Sequence, residues 1–434
     1  MRFIHKLVVF FFGLCLVSLH GQTIRVVDAV TGYPIQDVVA YDALTKNNAT
    51  SDADGQLDLS VFSADDEVFF EHIGYESLMV VVSKAQMSKQ ISLYPDTQRL
   101  GEIVLSVSRT TDEKKRVSKQ VAILSDRDIA SIVPNTSAEL LREAPGIRIQ
   151  RSQGGGGSPV IRGFEANRIL LVVDGVRMNN AIYRSGHLHN AISIDPFSLS
   201  RAEVVYGPSS VGYGSDALGG VVHYFTKEPR VGDAQPWRFF IANSYDPRHE
   251  HSINHVDITL SNDKWASLTS ASYSIFGDIY MGRQRNHGYA EWGLVSEISK
   301  NNRYFFKDQP QSNPNPNRQY NAKYDQIDLM QKLVFQPDAE NKWVLNLQYS
   351  ESSDIPRFDK LAERMDDELR YATWFYGPQK RLLISPKYSF TTDKKWLREG
   401  VITLAYQQIE ESRVQRKFGS LLRESQIEDL DVFS

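Results

Sequence analysis

Cysteine is nearly absent from the 434 residues, and the single one, Cys15, sits inside an apolar run at the N-terminus. Arg2 and Lys6 stand at the start, and the run Leu7 to Leu19 is too short and wrongly flanked for a spanning helix. It has the form of a secretory signal peptide, with cleavage expected between Gly21 and Gln22, so that residues 1–21 are removed. The small residues a lipoprotein anchor wants before its cysteine are missing, since Phe12-Gly13-Leu14 stands there. The exported chain then has no cysteine, which excludes disulfides and thiolate metal sites. Beyond the leader no segment is long and apolar enough for a membrane helix. Such an exported chain is periplasmic, released, or a β-barrel, whose alternating strands escape hydropathy.

Other absences narrow the function. A net charge of −4 offers no electrostatic footprint for nucleic acid, so none is expected as a partner. There is no His-Glu-x-x-His, no nucleophile elbow and no paired catalytic constellation. The run Gly154–Gly157 lacks a following Gly-Lys-Ser/Thr and passes through Ser158-Pro159 into a strand, not a helix, so it is no phosphate cradle. The expectation is a protein that is not an enzyme, with no catalytic residues, no cofactor and no metal site.

What is abundant is aromatic: 11% of residues, with 20 Tyr and 21 Phe, which suits strand-rich structure and membrane-interface girdles. Residues 22–98 read as a small β-sandwich. Its strand candidates are Ile24–Asp28, Val38–Tyr41, Leu57 with Leu59, Val68–Phe70, and Leu78 to Val82, spaced by turns such as Thr31-Gly32-Tyr33-Pro34. Asp52-Ala53-Asp54-Gly55 lacks the downstream ligands of an EF-hand loop and reads as a plain turn. Residues 99–119 are a linker in which Leu100–Ser106 is β-prone, an isolated strand awaiting a partner edge.

Residues 120–228 read as a glycine-rich α/β domain. Ser125-Asp126-Arg127-Asp128 opens one short helix as a capping box, and Thr136-Ser137-Ala138-Glu139 opens another that Pro145-Gly146 stops. Strands are expected at Ile147–Gln150, Ile169–Val173 and Val204–Tyr206, with a turn at Asp174-Gly175. From residue 229 to 434 the pattern becomes period two. Val256, Ile258 and Leu260 alternate with His255, Asp257 and Thr259. Trp343, Leu345, Leu347 and Tyr349 alternate with Val344, Asn346 and Gln348, and Leu382, Ile384, Tyr388 and Phe390 alternate with Leu383, Ser385, Lys387 and Ser389. One apolar and one mostly polar face over about ten residues is what a membrane barrel strand needs. About eight strands are expected, with short turns at Ser261–Lys264, Pro337–Asn341 and Thr391–Lys395 and long polar loops at Gly277–Asp325 and Ser350–Lys380.

The α/β unit resembles the plug domain of TonB-dependent receptors. The resemblance is carried by Glu139–Ile147, by Ile161-Arg162-Gly163-Phe164, by Asn167–Val176 with its Asp174-Gly175, and by Val204–Val222, which contains Gly207-Pro208 and Gly219-Gly220. The departure from the family pattern is His223-Tyr224-Phe225, where aliphatic residues and Asn are usual. Residues 22–98 resemble the carboxypeptidase-regulatory-like domain found at the front of envelope receptors, through Val27-Asp28-Ala29, Thr50–Gly55 and His72-Ile73-Gly74-Tyr75.

The resemblance implies a mainly β fold with an α/β plug: an N-terminal β-sandwich, the plug, and the N-terminal portion of a 22-stranded transmembrane barrel, so that the chain is expected to be a fragment. It implies that Leu100, Glu102, Ile103, Val104, Leu105 and Ser106 form the TonB box, and that the partners are the periplasmic TonB complex, outer-membrane lipid, and a small iron-bearing ligand or haem protein. Arg162, Arg168 and Asp174 are candidates for plug–barrel or intra-plug ion pairs. Tyr183, His187 and His189 lie where plugs extend apical loops, and imidazole suits haem iron. Ser352–Leu361 resembles receptors of the haemoglobin/transferrin type. The expected function is import of a scarce nutrient, haem or another iron source such as a siderophore. A glycan or peptide importer of the polysaccharide-utilisation type and a surface adhesion protein of β modules stand as alternatives.

Overall fold

The computed structural model describes residues 23–29, 33–42, 47–72, 75–94, 103–104, 112–113, 120–151, 154–182, 190–233, 235–299, 309–394 and 397–434. The chain divides into two compact units, one of residues 1–104 with 111–117 and one of residues 105–110 with 118–434. The expected signal peptide lies outside the described residues.

In the first unit two small sheets face each other. Thr23–Asp28 is central in one, antiparallel to Gln56–Asp58 and parallel to Gln90–Leu93. The other runs Asn48–Thr50, Val39–Asp42, Glu67–His72, Tyr75–Val81. Ile24, Val26, Val38, Leu57, Leu59, Val68 and Phe70, all essentially buried, form a common core. The Asp52 carboxylate accepts from the N–H groups of Asp54 and Gln56 at 3.0 and 2.8 Å, a local turn that needs no ion. The apolar stretch expected as a strand to Val82 ends at Val81, and Val82–Ser88 is a helix whose Val82 and Ala85 pack into the core. Ile103–Val104 pairs antiparallel with Asp112–Glu113.

In the second unit the α/β domain is built on a five-stranded mixed sheet in the order Val121–Ser125, Leu199–Tyr206, Gly220–Thr226, Ile169–Val173, Val176–Arg177. Ile169–Val173 is buried on both faces, as a central strand of branched residues should be. Ser125 caps the helix Asp126–Ile132 in a complete capping box with Asp128. Thr136 caps Ser137–Leu140, which tightens into a 3₁₀ turn at Leu141–Glu143.

The remaining residues form one antiparallel sheet of long strands: Trp237–Asp246, His251–Ser261, Trp265–Phe276, Tyr324–Phe335, Asn341–Ser352 and Lys380–Lys394. Lys380–Lys394 then pairs with Leu397–Thr403 and Tyr406–Lys417, and the latter with Glu424–Phe433. Trp237, Phe239, Ile258, Leu260, Leu329 and Leu333 stand exposed on one face, whereas His255, Asp257, Ser272, Asp328, Lys332 and Asn346 are buried on the other. Trp265, Phe335, Trp343 and Tyr388 are successive cross-strand neighbours near the short-turn end. Their rings stack at 4.2 Å (Trp265–Phe335) and 4.1 Å (Trp343–Tyr388), a girdle of the kind barrels place at a membrane interface.

Two loop expectations are corrected. The third short turn is tighter than Thr391–Lys395, because the strand runs on to Lys394. The long loop Ser350–Lys380 contains a strand, Tyr371–Tyr376, which pairs with Arg413–Lys417 and carries the sheet further. It is buried throughout, so it lacks the alternation that marks its neighbours. Loop Gly277–Asp325 likewise holds two short ladders, Ile279–Tyr280 with Arg318–Gln319 and Glu297–Ile298 with Gln311–Ser312.

Candidate functional site: the seam between the plug and the barrel wall

The α/β domain lies against the polar face of the sheet, and the seam is built of side-chain bonds. Its centre is the turn at Asp174, whose positive φ is followed by Gly175 at +92°, a conformation glycine adopts without strain. The Asp174 carboxylate accepts from the N–H of Thr226 at 2.9 Å and from the Thr226 hydroxyl. From the wall, Lys332 Nζ approaches Oδ2 at 3.2 Å and Asn346 Nδ2 donates to it at 2.8 Å. Lys332 also donates to the Thr226 hydroxyl. Burial pushes the Asp174 carboxyl up, but the Lys332 charge and the Thr226 hydrogen bonds outweigh it and hold it below the ordinary carboxylate range.

Further ties run along the seam. Gln407 Nε2 donates to the Arg177 carbonyl at 2.9 Å, and Gln326 Nε2 to the Ile192 carbonyl at 2.8 Å. Asp195 caps the turn Pro196–Ser198 through the Phe197 N–H at 2.9 Å and accepts from wall Ser272 Oγ at 2.7 Å. His255 sits 3.4 Å from Asp195 and 3.0 Å from Asp257, which in turn holds Lys227 at 2.5 Å. Buried polar groups in low dielectric must be paired, so each tie is costly to break singly. Apolar contact is added where Ile192 meets wall residues Phe276, Tyr324 and Ile355.

The glycine run serves close approach. A Cβ on Gly155 would lie 2.8 Å from Ile355 Cδ1 and 3.2 Å from Tyr324 Cζ, so only glycine lets the backbone touch this wall. The departure at His223-Tyr224-Phe225 is absorbed locally. His223 Nε2 accepts the Gly175 N–H at 3.0 Å, its Nδ1 lies 3.1 Å from the Tyr213 hydroxyl, and Phe225 stacks on its ring at 4.0 Å. Tyr224, fully buried, donates to the Ser137 carbonyl at 3.3 Å, and burial raises its phenol.

Of the residues singled out in sequence, Asp174 alone reaches across the seam with an ion pair to the wall. Arg162 donates to Gln120 and lies over the Tyr206 ring at 4.8 Å, with Gly163 following at a positive φ. The Arg168 side chain is exposed, and its carbonyl accepts the Gly219 N–H at 2.7 Å. Gly207 N–H donates to the Gly219 carbonyl at 3.1 Å, so the Gly207-Pro208 and Gly219-Gly220 blocks close one structure. Tyr183, His187 and His189 lie outside the described residues, as do Leu100, Glu102, Leu105 and Ser106. Sequence reasoning did not single out Lys332, Asn346, Gln407, Gln326 or Ser272. Their signal was membership of the polar set in an alternating strand, which says that a residue faces inward but not what it meets. Among the described residues, no group of three or more His, Cys, Asp or Glu is placed to hold a metal.

A small α/β domain bonded to the polar inner face of an antiparallel sheet, whose outer face is apolar and girdled by aromatics, defines a plug with part of its β-barrel. Residues 113–221 match the TonB-dependent Receptor Plug Domain family. That stretch of the chain is similar to the plug of TonB-dependent receptors. Over 133 residues, 30% of its length, the chain is 32% identical to the vitamin B12 transporter BtuB of Vibrio vulnificus (strain CMCP6), and the match spans only 21% of that relative's length. The fold is similar to the copper transporter OprC (TM-score 0.52, 14% identity, 68% of this chain and 38% of that one). It is also similar to the Serratia marcescens hemophore receptor HasR, in a complex with its hemophore HasA and heme (TM-score 0.50, 16% identity, 73% and 46%). No helix among the described residues is long and apolar enough to cross a membrane.

Proposed function

We propose that the chain supplies the plug and first wall of an outer-membrane receptor that imports a scarce nutrient, with energy from TonB acting on Leu100–Ser106. The observation that carries this reading is the Asp174 clamp. The plug is held in place by hydrogen bonds and an ion pair to two adjacent wall strands, a seating firm enough to seal a lumen yet free of covalent links. A pull on the segment before the plug can release such bonds and restore them. No covalent chemistry on the nutrient is required.

The nutrient favoured is haem or another iron source, a haem protein or a siderophore. The support is the pair His187 and His189 with Tyr183, in the plug segment between Ile182 and Asn190, together with the resemblance of Ser352–Leu361 to haemoglobin/transferrin-type receptors. The proposed TonB contact is β-pairing, and the ladder between Ile103–Val104 and Asp112–Glu113 is in keeping with a strand-competent segment. Replacing Val104 by Pro removes a backbone donor from any such pairing. In the full-length receptor, uptake should collapse while nutrient binding at the cell surface persists. Loss of both, or of neither, would count against the coupling role.

A further inference from the structure

The chain His249-Glu250-His251 and its neighbour Asp246 form a cluster that the seam does not use. They sit where Trp237–Asp246 turns into His251–Ser261, at the end of the sheet that carries the long loops. The two imidazole centroids are 5.4 Å apart with ring planes tilted by 37°. Two imidazoles binding one ion at metal–nitrogen distances of roughly 2.0–2.1 Å, near a tetrahedral angle, place their centroids about 5 Å apart. The observed centroid separation matches that spacing.

The hydrogen bonding sets which nitrogen is available. His249 Nδ1 lies 2.6 Å from the Asp246 carboxylate, which can only accept, so Nδ1 carries the proton and Nε2 presents a lone pair. The His251 ring meets Phe276 edge-on at 5.7 Å, and a neutral imidazole keeps one lone-pair nitrogen as well. A carboxylate behind the imidazole, as Asp246 stands behind His249, is the arrangement that orients metal-ligating histidines and raises their basicity. The turn is also stiff. A Cβ on Gly277 would lie 2.0 Å from the His249 carbonyl oxygen, so the next strand's end is pressed against it. Glu250, between the two histidines, is drawn off by Lys323 at 2.7 Å and Arg318 at 3.6 Å, and is not a third ligand.

We infer that His249 and His251 form a two-imidazole site for a divalent transition-metal ion at the rim of the barrel, with water or a donor from the cargo completing the coordination. Neutral imidazoles without thiolates select borderline ions, and Cu2+ should bind most tightly, ahead of Ni2+ and Zn2+. The site stands whichever nutrient the receptor imports. Lys323 and Arg318 oppose a cation nearby, and Asp246 and Glu250 offset them.

The test is titration of the full chain in detergent with Cu2+ alone, read by electron paramagnetic resonance. Wild type should show nitrogen couplings from two imidazoles. His249→Asn and His251→Asn should each lose one of them and weaken binding at least tenfold. Asp246→Asn should weaken it roughly tenfold yet keep the two-nitrogen spectrum, as loss of an orienting partner does. Arg248→Gln, in the same turn, should change nothing. An unchanged spectrum in the His249→Asn/His251→Asn double variant overturns the site. So does loss of the signal in a His187→Asn/His189→Asn variant with His249 and His251 intact, or an Arg248→Gln loss equal to that of the histidine variants.

Discussion

Asp174 and Lys332, 158 positions apart in sequence, meet at 3.2 Å across the seam between plug and wall. The lysine is almost wholly buried, and Asn346 from the next strand shares the same carboxylate oxygen. Removing one member of a buried pair leaves the other charge uncompensated, which costs about 3–5 kcal/mol. Lys332→Met and Asp174→Asn should therefore both loosen the plug, since each leaves one charge of the pair uncompensated. Hydrogen exchange of Ile169–Val173 and Gly220–Thr226 reads this directly. Equal protection in wild type and Lys332→Met would defeat the clamp. The pH dependence has a definite sign. Because the folded carboxyl titrates below its unfolded value of about 3.9, its contribution is fully present above that pH and is lost as pH falls through the lower folded value. Seating should be flat through neutrality and fail only in strong acid, as far as Asp174 is concerned.

Gly155 and Ile355 give a second, purely steric relationship. A methyl at position 155 meets Ile355 Cδ1 at 2.8 Å and Cγ2 at 2.9 Å. Gly155→Ala should cost about 1–3 kcal/mol by overpacking. Ile355→Ala alone should also destabilise, by opening a cavity beside Ile192, Phe276 and Tyr324. The double variant should be less unstable than the sum, because the alanine methyl fills space the isoleucine vacates. Denaturation of the three variants closes the cycle, and strict additivity would show that the two residues do not touch.

Local chemistry was legible in the sequence wherever it is carried by neighbours in the chain. The capping box at Ser125–Asp128, the turn at Asp174-Gly175 and the period-two strands all depend on residues a few positions apart, and the structure has them. What was not legible is partnership at long range. Asn346 could be read as inward-facing, but nothing near it in sequence names Asp174, 172 positions away. Tyr371–Tyr376 failed for a different reason. Covered on both faces, it shows no alternation, and its aromatic run looked like loop. Val82–Ser88 failed because its β-branched start continues a strand pattern although tertiary packing draws Val82 and Ala85 into a helix.

Topology gives a third prediction. If the apolar face meets lipid and the short turns face the periplasm, single cysteines at Tyr289 and Met365, both exposed in the long loops, should react with an impermeant thiol reagent on intact cells. A cysteine at Ala339, in the short turn between Tyr324–Phe335 and Asn341–Ser352, should not. The background is clean, since the one native cysteine, Cys15, lies in the segment expected to be cleaved. Labelling at 339 from outside would reverse the orientation of the sheet.

His187 and His189 are separated by one residue, so on an extended segment both side chains leave the same side. Neutral imidazole is a good ligand for haem iron, and a single one suffices to change the iron's absorption spectrum. Replacing both by Ala should weaken haem binding and shift that spectrum while the plug stays folded. Retained protection of Ile169–Val173 in hydrogen exchange would certify the fold. A haem spectrum identical to wild type in the double variant would remove these histidines as ligands. Absence of haem binding by the wild-type receptor would remove haem as the nutrient, and growth on siderophore or glycan as sole source would then decide between the remaining importers.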